Sequence, residues 1–188
     1  MRLFVAVNLP ATARHSAAQA AAPLLVADLP VNWVGEDGLH ITLKFLGEVD
    51  ESRAAPIGAA LSTAVAQVRP FELGLGGFGA FPDLERPRVL WFGVERHPAL
   101  ELLANDVEKA VGPFGFAPEL RPFQPHLTLG RARRDARPAA FRDLGDLARD
   151  VEWEVVVPVE SVDLMESTLG AAGASYRIVH RAALGGKG

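Results

Sequence analysis

The sequence predicts an α+β fold built from two related halves, each combining helices with antiparallel strands. Three observations support this class. Apolar strand segments and helical segments follow one another without the strict alternation of a parallel α/β protein. The phrase His-(Ile/Leu)-Thr-Leu occurs at residues 40–43 and again at residues 126–129, almost half of the 188-residue chain apart, which indicates an internal duplication. Nothing in the chain reads as a linker, so we expect one bilobal domain over residues 1–188 with one motif in each half.

The first half begins with an apolar strand at residues 2–7 and continues with an alanine-rich helix at residues 12–29, which Pro30 ends. Two strands follow, at residues 31–34 and 39–46. A Gly-Glu-Asp-Gly turn joins them, as expected for a tight connection between extended segments.

A second helix is predicted at residues 51–68, because its helical pattern runs until Pro70. Two strands come next, at residues 71–78 and 88–95. The segment between them contains proline and glycine, so it is predicted to be a loop.

The second half opens with an amphipathic helix that starts at His97 or Pro98 and ends before Gly112-Pro113. The second motif then forms a strand at residues 125–129, and a short helix is expected at residues 137–148. Three strands complete the pattern, at residues 153–157, 159–165 and 175–180.

Composition excludes several function classes. The chain has no cysteine, so disulfides, thiolate nucleophiles and cysteine-based zinc sites are excluded. The net charge of −4 argues against a domain that coats nucleic acid with a broad basic face. No apolar stretch is long enough for a membrane helix and the start lacks the pattern of a signal peptide, so we expect a cytoplasmic protein without a membrane partner. We also expect the protein to be a monomer.

Strand alternation gives the repeated phrase a physical meaning. In the first motif His40 and Thr42 should share one face of their strand, while Ile41 and Leu43 share the other. In the second motif His126 and Thr128 are related in the same way. Each strand can therefore be anchored by its apolar face and present an imidazole beside a hydroxyl on the opposite face.

Two facing imidazoles suit the cleavage of a phosphodiester. With an unperturbed pKa near 6.5, a neutral histidine can act as general base while a protonated one acts as general acid at the same pH. The threonine hydroxyls can donate hydrogen bonds to the phosphate oxygens. This design needs no metal and no cofactor, and the chain has no His-x-x-x-His pattern that would suggest a zinc site. The alternative is that both histidines are core residues with satisfied hydrogen bonds.

The two motifs, the opening RLFVAVNLP and the continuations HITLKFLGEV and PHLTLGR together resemble the two-histidine (2H) phosphoesterase superfamily. Within it, the chain is similar to the bacterial and archaeal RNA 2′,3′-cyclic phosphodiesterases, also called the LigT-like or 2′-5′ RNA ligase family. The resemblance implies two antiparallel sheets, each backed by helices, around a central cleft that holds both motifs. It also implies hydrolysis of an RNA 2′,3′-cyclic phosphate end to a 2′-phosphomonoester.

Carried onto this chain, the resemblance implies that His40 is the proton donor and His126 the proton acceptor. It implies that Thr42 and Thr128 bind the phosphate, together with Arg131. Simple alternation puts Arg131 on the wrong face, so the strand must end or bulge near Gly130. Members of the family can also join tRNA halves through a 2′-5′ linkage, which makes such RNA ends a further expected partner.

Two other functions remain open from the sequence: a phosphodiesterase for small cyclic nucleotides, and a module that binds RNA ends without turnover.

Several side chains outside the motifs also have alternative interpretations. Lys44 should share the face of His40, either beside the cleft or as an exposed lysine, and Phe45 should point into the core rather than stack on a base. His15, His97 and His180 are expected at the surface or in packing roles. The tryptophans are expected in the core; they are Trp33, Trp91 and Trp153. A cluster of arginines follows the second motif and forms either a solvated turn or an RNA-facing rim; its members are Arg131, Arg133, Arg134, Arg137 and Arg142.

Overall fold

A computed structural model describes residues 1–170 and 173–186, and in this part of the chain the strands form one antiparallel sheet. The sheet runs in the order β7-β4-β5-β6-β3-β1-β8-β9, and the short strand β2 pairs with β6 outside this path. The strands are β1 (Arg2–Asn8), β2 (Val31–Trp33), β3 (His40–Glu48), β4 (Phe71–Phe81), β5 (Val89–Val94), β6 (His126–Ala132), β7 (Glu154–Val159), β8 (Ser161–Gly170) and β9 (Gly173–Ala183).

Along this path the sheet has two halves of four strands each, which meet at the motif strands β3 and β6, and β2 adds a ninth strand beside β6. A single residue pair, Ile41 opposite Leu127, joins them. The α+β class predicted from the sequence is confirmed. The two sheets implied by the family resemblance are joined into one sheet by this pair.

The halves of the sheet are not the halves of the sequence. Strand β8, near the end of the chain, pairs with β1, and β9 extends that half at its edge. Strand β4 crosses to the other half and pairs with β5 and β7. The strand that carries His40 therefore depends on residues from both ends of the chain.

The helices are α1 (Ala11–Ala20), α2 (Ala22–Val26), α3 (Ala54–Val65), α4 (Pro98–Val111) and α5 (Leu144–Arg149). The single helix predicted at residues 12–29 is wrong: it breaks between Ala20 and Ala22, because Pro23 has no N–H to continue the helical ladder. The helix predicted at residues 137–148 is also shorter than expected. A 3₁₀ turn at Pro138–Phe141 precedes α5, and the backbone leaves helical geometry at Asp143.

The main apolar core lies between the strands and the helices. Its largest fully buried members include Phe92, Leu90, Ile57 and Leu103, which come from β5, α3 and α4. Among the described residues, no helix combines the length and the apolar character needed to cross a membrane.

Candidate active site

The two motifs lie on neighbouring strands and anchor themselves as alternation predicts. Ile41 and Leu127 have no exposed surface and belong to the core, whereas both motif histidines and both motif threonines are half-buried. We call the side of the sheet that carries these four polar side chains, His40, Thr42, His126 and Thr128, the motif face. The apolar residues between them hold each strand in place.

The register places the histidine of one motif beside the threonine of the other. Because Ile41 is opposite Leu127 in an antiparallel pair, the next positions along the strands put His40 on the side of Thr128. The same relation puts Thr42 on the side of His126. The motif face therefore carries an approximately two-fold arrangement of imidazoles and hydroxyls.

Both imidazoles are oriented by backbone carbonyls. His40 Nδ1 lies 2.7 Å from the Gly38 carbonyl oxygen, and His126 Nδ1 lies 2.7 Å from the Gln124 carbonyl oxygen. A carbonyl oxygen only accepts hydrogen bonds, so Nδ1 carries the proton in each ring. The Nε2 atom of each histidine is left for proton transfer.

Aromatic rings pack against both histidines. The centroid of the His40 ring is 4.8 Å from that of Phe4 and 5.1 Å from that of Tyr176. The His126 ring is perpendicular to the Phe81 ring, with centroids 5.0 Å apart. These three aromatic residues were not predicted as part of the site, because their positions depend on strand pairing rather than on a local pattern.

A glycine makes room for one of these rings. A Cβ atom at Gly38 would lie 2.9 Å from the Tyr176 ring, closer than side-chain atoms approach one another. Gly38 is also the residue whose carbonyl oxygen orients His40. In the sequence Gly-Leu-His, the glycine therefore serves the site twice, because it leaves room for the Tyr176 ring and its carbonyl oxygen orients His40.

Burial and a nearby positive charge lower the pKa of both histidines. For His40 and for His126, desolvation is the main cause, and the charge of Arg131 adds to it. The hydrogen bonds to the Gly38 and Gln124 carbonyl oxygens act in the opposite direction. Both imidazoles are therefore biased toward the neutral form in the free protein.

Arg131 reaches the motif face through a β-bulge. Trp91 of β5 pairs with Thr128, and Leu90 pairs with Gly130, so Leu129 is an extra residue on β6. After this bulge Arg131 shares the face of Thr128, and Leu129 and Gly130 are both buried. The irregularity expected near Gly130 is present, and it brings the charge of Arg131 to both histidines.

A similar bulge on β3 overturns the expectations for Lys44 and Phe45. Ala6 pairs with Thr42 and Val5 pairs with Lys44, so Leu43 is the extra residue. Lys44 consequently points away from the motif face and is 8% exposed, with Nζ 2.9 Å from Glu108 Oε2 and 2.7 Å from the Ala117 carbonyl oxygen. It is neither beside the site nor an exposed lysine.

Phe45 lies on the motif face instead of in the core. It pairs with Phe4, and the two ring centroids are 6.1 Å apart. The prediction that Phe45 is a core residue is wrong, because the bulge at Leu43 shifts the alternation by one position and leaves the Phe45 side chain 63% exposed.

The other histidines have local contacts. His15 lies 3.2 Å from Glu36 at the surface, and His97 Nδ1 accepts a hydrogen bond from the Ala99 amide at the start of α4. His180 Nε2 lies 2.7 Å from the Ser62 hydroxyl on α3. Of the tryptophans, Trp153 is buried as expected, whereas Trp33 and Trp91 are only half-buried.

The arginines that follow the second motif are all exposed: Arg131, Arg133, Arg134, Arg137 and Arg142. Within residues 1–170 and 173–186, no three His, Asp or Glu side chains converge in a geometry that could hold a metal ion.

The chain is similar to known proteins over most of its length. A family model described as the 2′-5′ RNA ligase superfamily matches residues 11–170. The chain is 36% identical over 179 residues to the RNA 2′,3′-cyclic phosphodiesterase of Archaeoglobus fulgidus, which covers 94% of this chain and 97% of the relative. It is 37% identical over 145 residues to the protein of the same name from Geobacillus stearothermophilus, which covers 75% of this chain but 46% of that longer protein.

A solved structure shows the same fold. The crystal structure of E. coli LigT complexed with 3′-AMP matches with a TM-score of 0.72 and 27% identity over 97% of each chain. The paired motif strands, the continuous match of the family model and the identity to whole-length relatives lead to one conclusion. This chain belongs to the 2′-5′ RNA ligase superfamily.

Proposed function

We propose that this protein hydrolyses the 2′,3′-cyclic phosphate at the end of an RNA to a 2′-phosphomonoester. The observation that carries the proposal is the pair of half-buried imidazoles on adjoining strands, each with Nδ1 bound to a backbone carbonyl and Nε2 left for chemistry. The relatives named RNA 2′,3′-cyclic phosphodiesterase support the same substrate.

The reaction is an in-line displacement at phosphorus. Water attacks the phosphorus atom while His126 Nε2 accepts its proton, and the bond from phosphorus to the 3′ oxygen breaks. His40 Nε2 donates a proton to that departing oxygen, so the product carries a 3′-hydroxyl and a 2′-phosphate. Proton exchange with solvent then restores a protonated His40 and a neutral His126. The acid and base roles follow the family pattern.

The phosphate oxygens are held by groups of the motif face. We assign this role to the hydroxyls of Thr42 and Thr128, which flank the two imidazoles, and to the guanidinium of Arg131. The charge of Arg131 would stabilise the negative charge that builds up on the non-bridging oxygens. The bulge at Leu129 supports this role, since it turns Arg131 to the same face as Thr128.

The lowered pKa values of the two histidines are consistent with a change in the protonation of His40 when substrate binds. In the free protein the neutral form that His126 needs as a base is favoured. A bound cyclic phosphate is negatively charged and offsets the repulsion from Arg131, which raises the pKa of His40 toward the protonated form that an acid needs.

A single-turnover assay on an oligoribonucleotide with a 2′,3′-cyclic phosphate, in EDTA, tests this mechanism. The His40→Ala and His126→Ala variants should each lose at least about 100-fold in rate, as removal of a general acid or base does. The His15→Ala variant is the matched control, because His15 is an exposed histidine away from the motif face. Retained activity in both motif variants, or a requirement for metal, would contradict the mechanism.

The same assay separates the proposal from its alternatives. A mononucleotide 2′,3′-cyclic phosphate that turns over as efficiently as the oligomer would favour a small cyclic nucleotide as the substrate. Tight binding of the RNA end with no turnover of any cyclic phosphate would favour a binding module instead.

We also propose that the site joins two RNA ends through a 2′-5′ linkage, by the same displacement at phosphorus with a different nucleophile. The family description names this activity. In this reaction the 5′-hydroxyl of a second RNA takes the place of water: His126 accepts its proton, the bond from phosphorus to the 3′ oxygen breaks, and His40 donates a proton to that oxygen. Incubation of tRNA halves that carry a cyclic phosphate and a 5′-hydroxyl, without ATP, tests it: a joined product must disappear in His40→Ala.

A further inference from the structure

A fully buried carboxylate lies on the motif face, two strands away from β3. Asp163 of β8 has no exposed surface, and all of its described partners are polar side chains. Its Oδ1 accepts a hydrogen bond from Arg181 Nε at 2.9 Å, and its Oδ2 accepts from Arg181 Nη2 at 3.1 Å and from Asn8 Nδ2 at 2.7 Å. A buried charge is tolerated only when it is paired and hydrogen-bonded in this way.

Strand pairing connects this group to the motifs. Thr42 pairs with Ala6, Ala6 pairs with Asp163, and Asp163 pairs with Arg181. Residues directly opposite one another share a face of the sheet, so the whole row lies on the motif face. Asn8, which completes the partners of Asp163, pairs with His40.

The distance along this row suits a neighbouring phosphate. Adjacent strands are about 4.8 Å apart, so three steps from Thr42 to Arg181 amount to roughly 14 Å between their backbones. The guanidinium bends back over Asp163, one strand closer to the motifs. It therefore lies within reach of the next phosphate along an RNA strand whose end is held between His40 and His126.

Arg181 is held in place and still has donors to offer. Its side chain is 58% exposed, although Asp163 binds it in a bidentate manner. A guanidinium has five N–H donors, and two point at the carboxylate, so three remain for a ligand. Because Asp163 and Asn8 fix the orientation of the group, little conformational entropy is lost when an anion binds.

The surface of the motif face between the two motifs and the Asp163–Arg181 pair is apolar. Phe4, Ala6 and Met165 form a small cluster on the motif face, separate from the main core, with Tyr176 packed against it. A ribose or base can lie on this floor while phosphates contact polar groups at either end. An ion pair that only stabilised the pairing of β9 with β8 would not need an apolar surface that continues to the motif residues.

We propose that Arg181, positioned by Asp163, forms a second phosphate-binding subsite that takes the phosphodiester on the 5′ side of the terminal nucleotide. The inference rests on the proposed function, since it assumes that the cyclic phosphate lies between the two motif histidines. It makes the protein selective for oligonucleotides over mononucleotides, because a mononucleotide cyclic phosphate has no phosphate to place at Arg181.

The test compares two substrates: a trinucleotide and a mononucleotide, each with a 2′,3′-cyclic phosphate. The Arg181→Gln variant alone leaves Asp163 buried without its cation and can unfold the edge of the sheet. The double variant with Asp163→Asn and Arg181→Gln avoids this, because it removes both charges together. On the trinucleotide the double variant should lose about 10-fold in kcat/KM, which is the effect of one charge-assisted hydrogen bond. The loss should appear as a rise in KM.

On the mononucleotide the double variant should match the parent protein, which also shows that it is folded. The dependence of trinucleotide binding on salt should become shallower, with the slope of log K against log salt reduced by about 0.7, the value for one phosphate contact on single-stranded RNA. Arg177→Gln is the matched control. Arg177 lies on the same strand and binds Glu166, but on the opposite face, and its side chain is 65% exposed; this variant should keep the parent values on both substrates.

Binding of a trinucleotide that ends in a 3′-phosphate gives a readout without turnover. Unchanged affinity in the double variant would overturn the second subsite, whatever the activity. Equal losses on trinucleotide and mononucleotide would overturn it as well, because they would show a general effect on the motif. If the parent protein hydrolyses neither substrate but the double variant binds the trinucleotide about 10-fold more weakly, the proposed function fails and the subsite stands.

Discussion

Each motif histidine is oriented by the backbone carbonyl of the residue two positions before it, just ahead of its strand. The residue is Gly38 for His40 and Gln124 for His126. A neutral carbonyl fixes the tautomer as a carboxylate would, but it stabilises the imidazolium less, so desolvation and Arg131 decide the direction of the pKa shift. Arg131, which is proposed to hold the phosphate, thus also contributes to the lowered pKa of both histidines, after desolvation.

Replacement of Arg131 by methionine should move the pH dependence of kcat/KM. The charge of Arg131 lowers the pKa of both histidines, so its removal raises both and shifts the whole profile toward alkaline pH. The limbs of the kcat/KM profile report the free protein, where this repulsion acts. Arg134→Met, an exposed arginine a few residues further along, serves as the control. A profile that shifts toward acid, or not at all, would contradict the electrostatic role.

Phe45 is predicted to be a stacking surface for a base, because it is an exposed aromatic side chain on the motif face beside Phe4. Phe45→Ala should weaken binding of an oligonucleotide by about 1 to 3 kcal/mol, with kcat little changed. Steady-state kinetics on cyclic-phosphate oligomers measure this as a rise in KM. Leu102→Ala, a similarly exposed apolar side chain on α4, should leave KM at the parent value.

At the scale of elements, the bulges decide what the motif strands present. The bulge at Leu43 turns Lys44 away and Phe45 toward the motif face, and the bulge at Leu129 turns Arg131 toward it. In both strands the extra residue follows the motif threonine directly. The two phrases therefore share the position of their β-bulge as well as their residues.

Close packing between β4 and β5 gives a prediction for stability. The indole of Trp91 lies across Gly79, where a Cβ atom would overlap the ring, and Trp91 also contacts Phe81 with centroids 5.0 Å apart. Gly79→Ala should reduce the free energy of unfolding by about 1 to 3 kcal/mol, because the ring must move. Urea denaturation measures the change.

The control for this prediction is Gly145→Ala in α5, where no atom lies within 4 Å of the added Cβ. Alanine favours a helix over glycine, so this variant should be as stable as the parent or slightly more stable. Equal losses in the two variants would show that the indole does not restrict position 79.

At the scale of the whole molecule, the site depends on the meeting of two half-sheets at one residue pair. Ile41 and Leu127 are fully buried in a core that both halves share. This shared burial carries both histidines into a partly desolvated environment. Stability and protonation of the site are consequently linked.

The linkage predicts that folding stability falls on acidification. Both histidines have a pKa below the ordinary value of 6.5, so each is neutral in the folded and unfolded states at higher pH. As the pH drops below about 6.5 the unfolded chain binds these protons first, so the free energy of unfolding decreases as the pH falls through the folded-state values.

Urea unfolding between pH 5 and pH 8 tests this, with the His40→Asn and His126→Asn double variant for comparison. The parent should lose more stability than the double variant below about pH 6.5, and the two curves should run parallel above about pH 7.5. A parent protein that gained stability relative to the double variant on acidification would contradict the direction of both pKa shifts.

Much of the fold and the centre of the site could be predicted from local patterns. Alternation in the two phrases fixed which residues anchor the strands and which are polar and half-buried, and Ile41 and Leu127 are buried as this requires. Alternation failed at Lys44 and Phe45, where a bulge shifts the pattern by one residue. Helix periodicity failed where Pro23 interrupts the hydrogen bonds of the first helix.

By itself the sequence determined the identity and spacing of the histidine and threonine pairs, because a strand places alternate side chains on one face wherever it lies in a fold. Only the tertiary structure decided which residues surround those pairs. Tyr176 beside His40, and Asp163 with its partners Asn8 and Arg181, come from opposite ends of the chain. They meet because β8 pairs with β1 on one side and with β9 on the other. The free energy of such long-range pairing depends on the burial of the whole sheet and not on any local pattern.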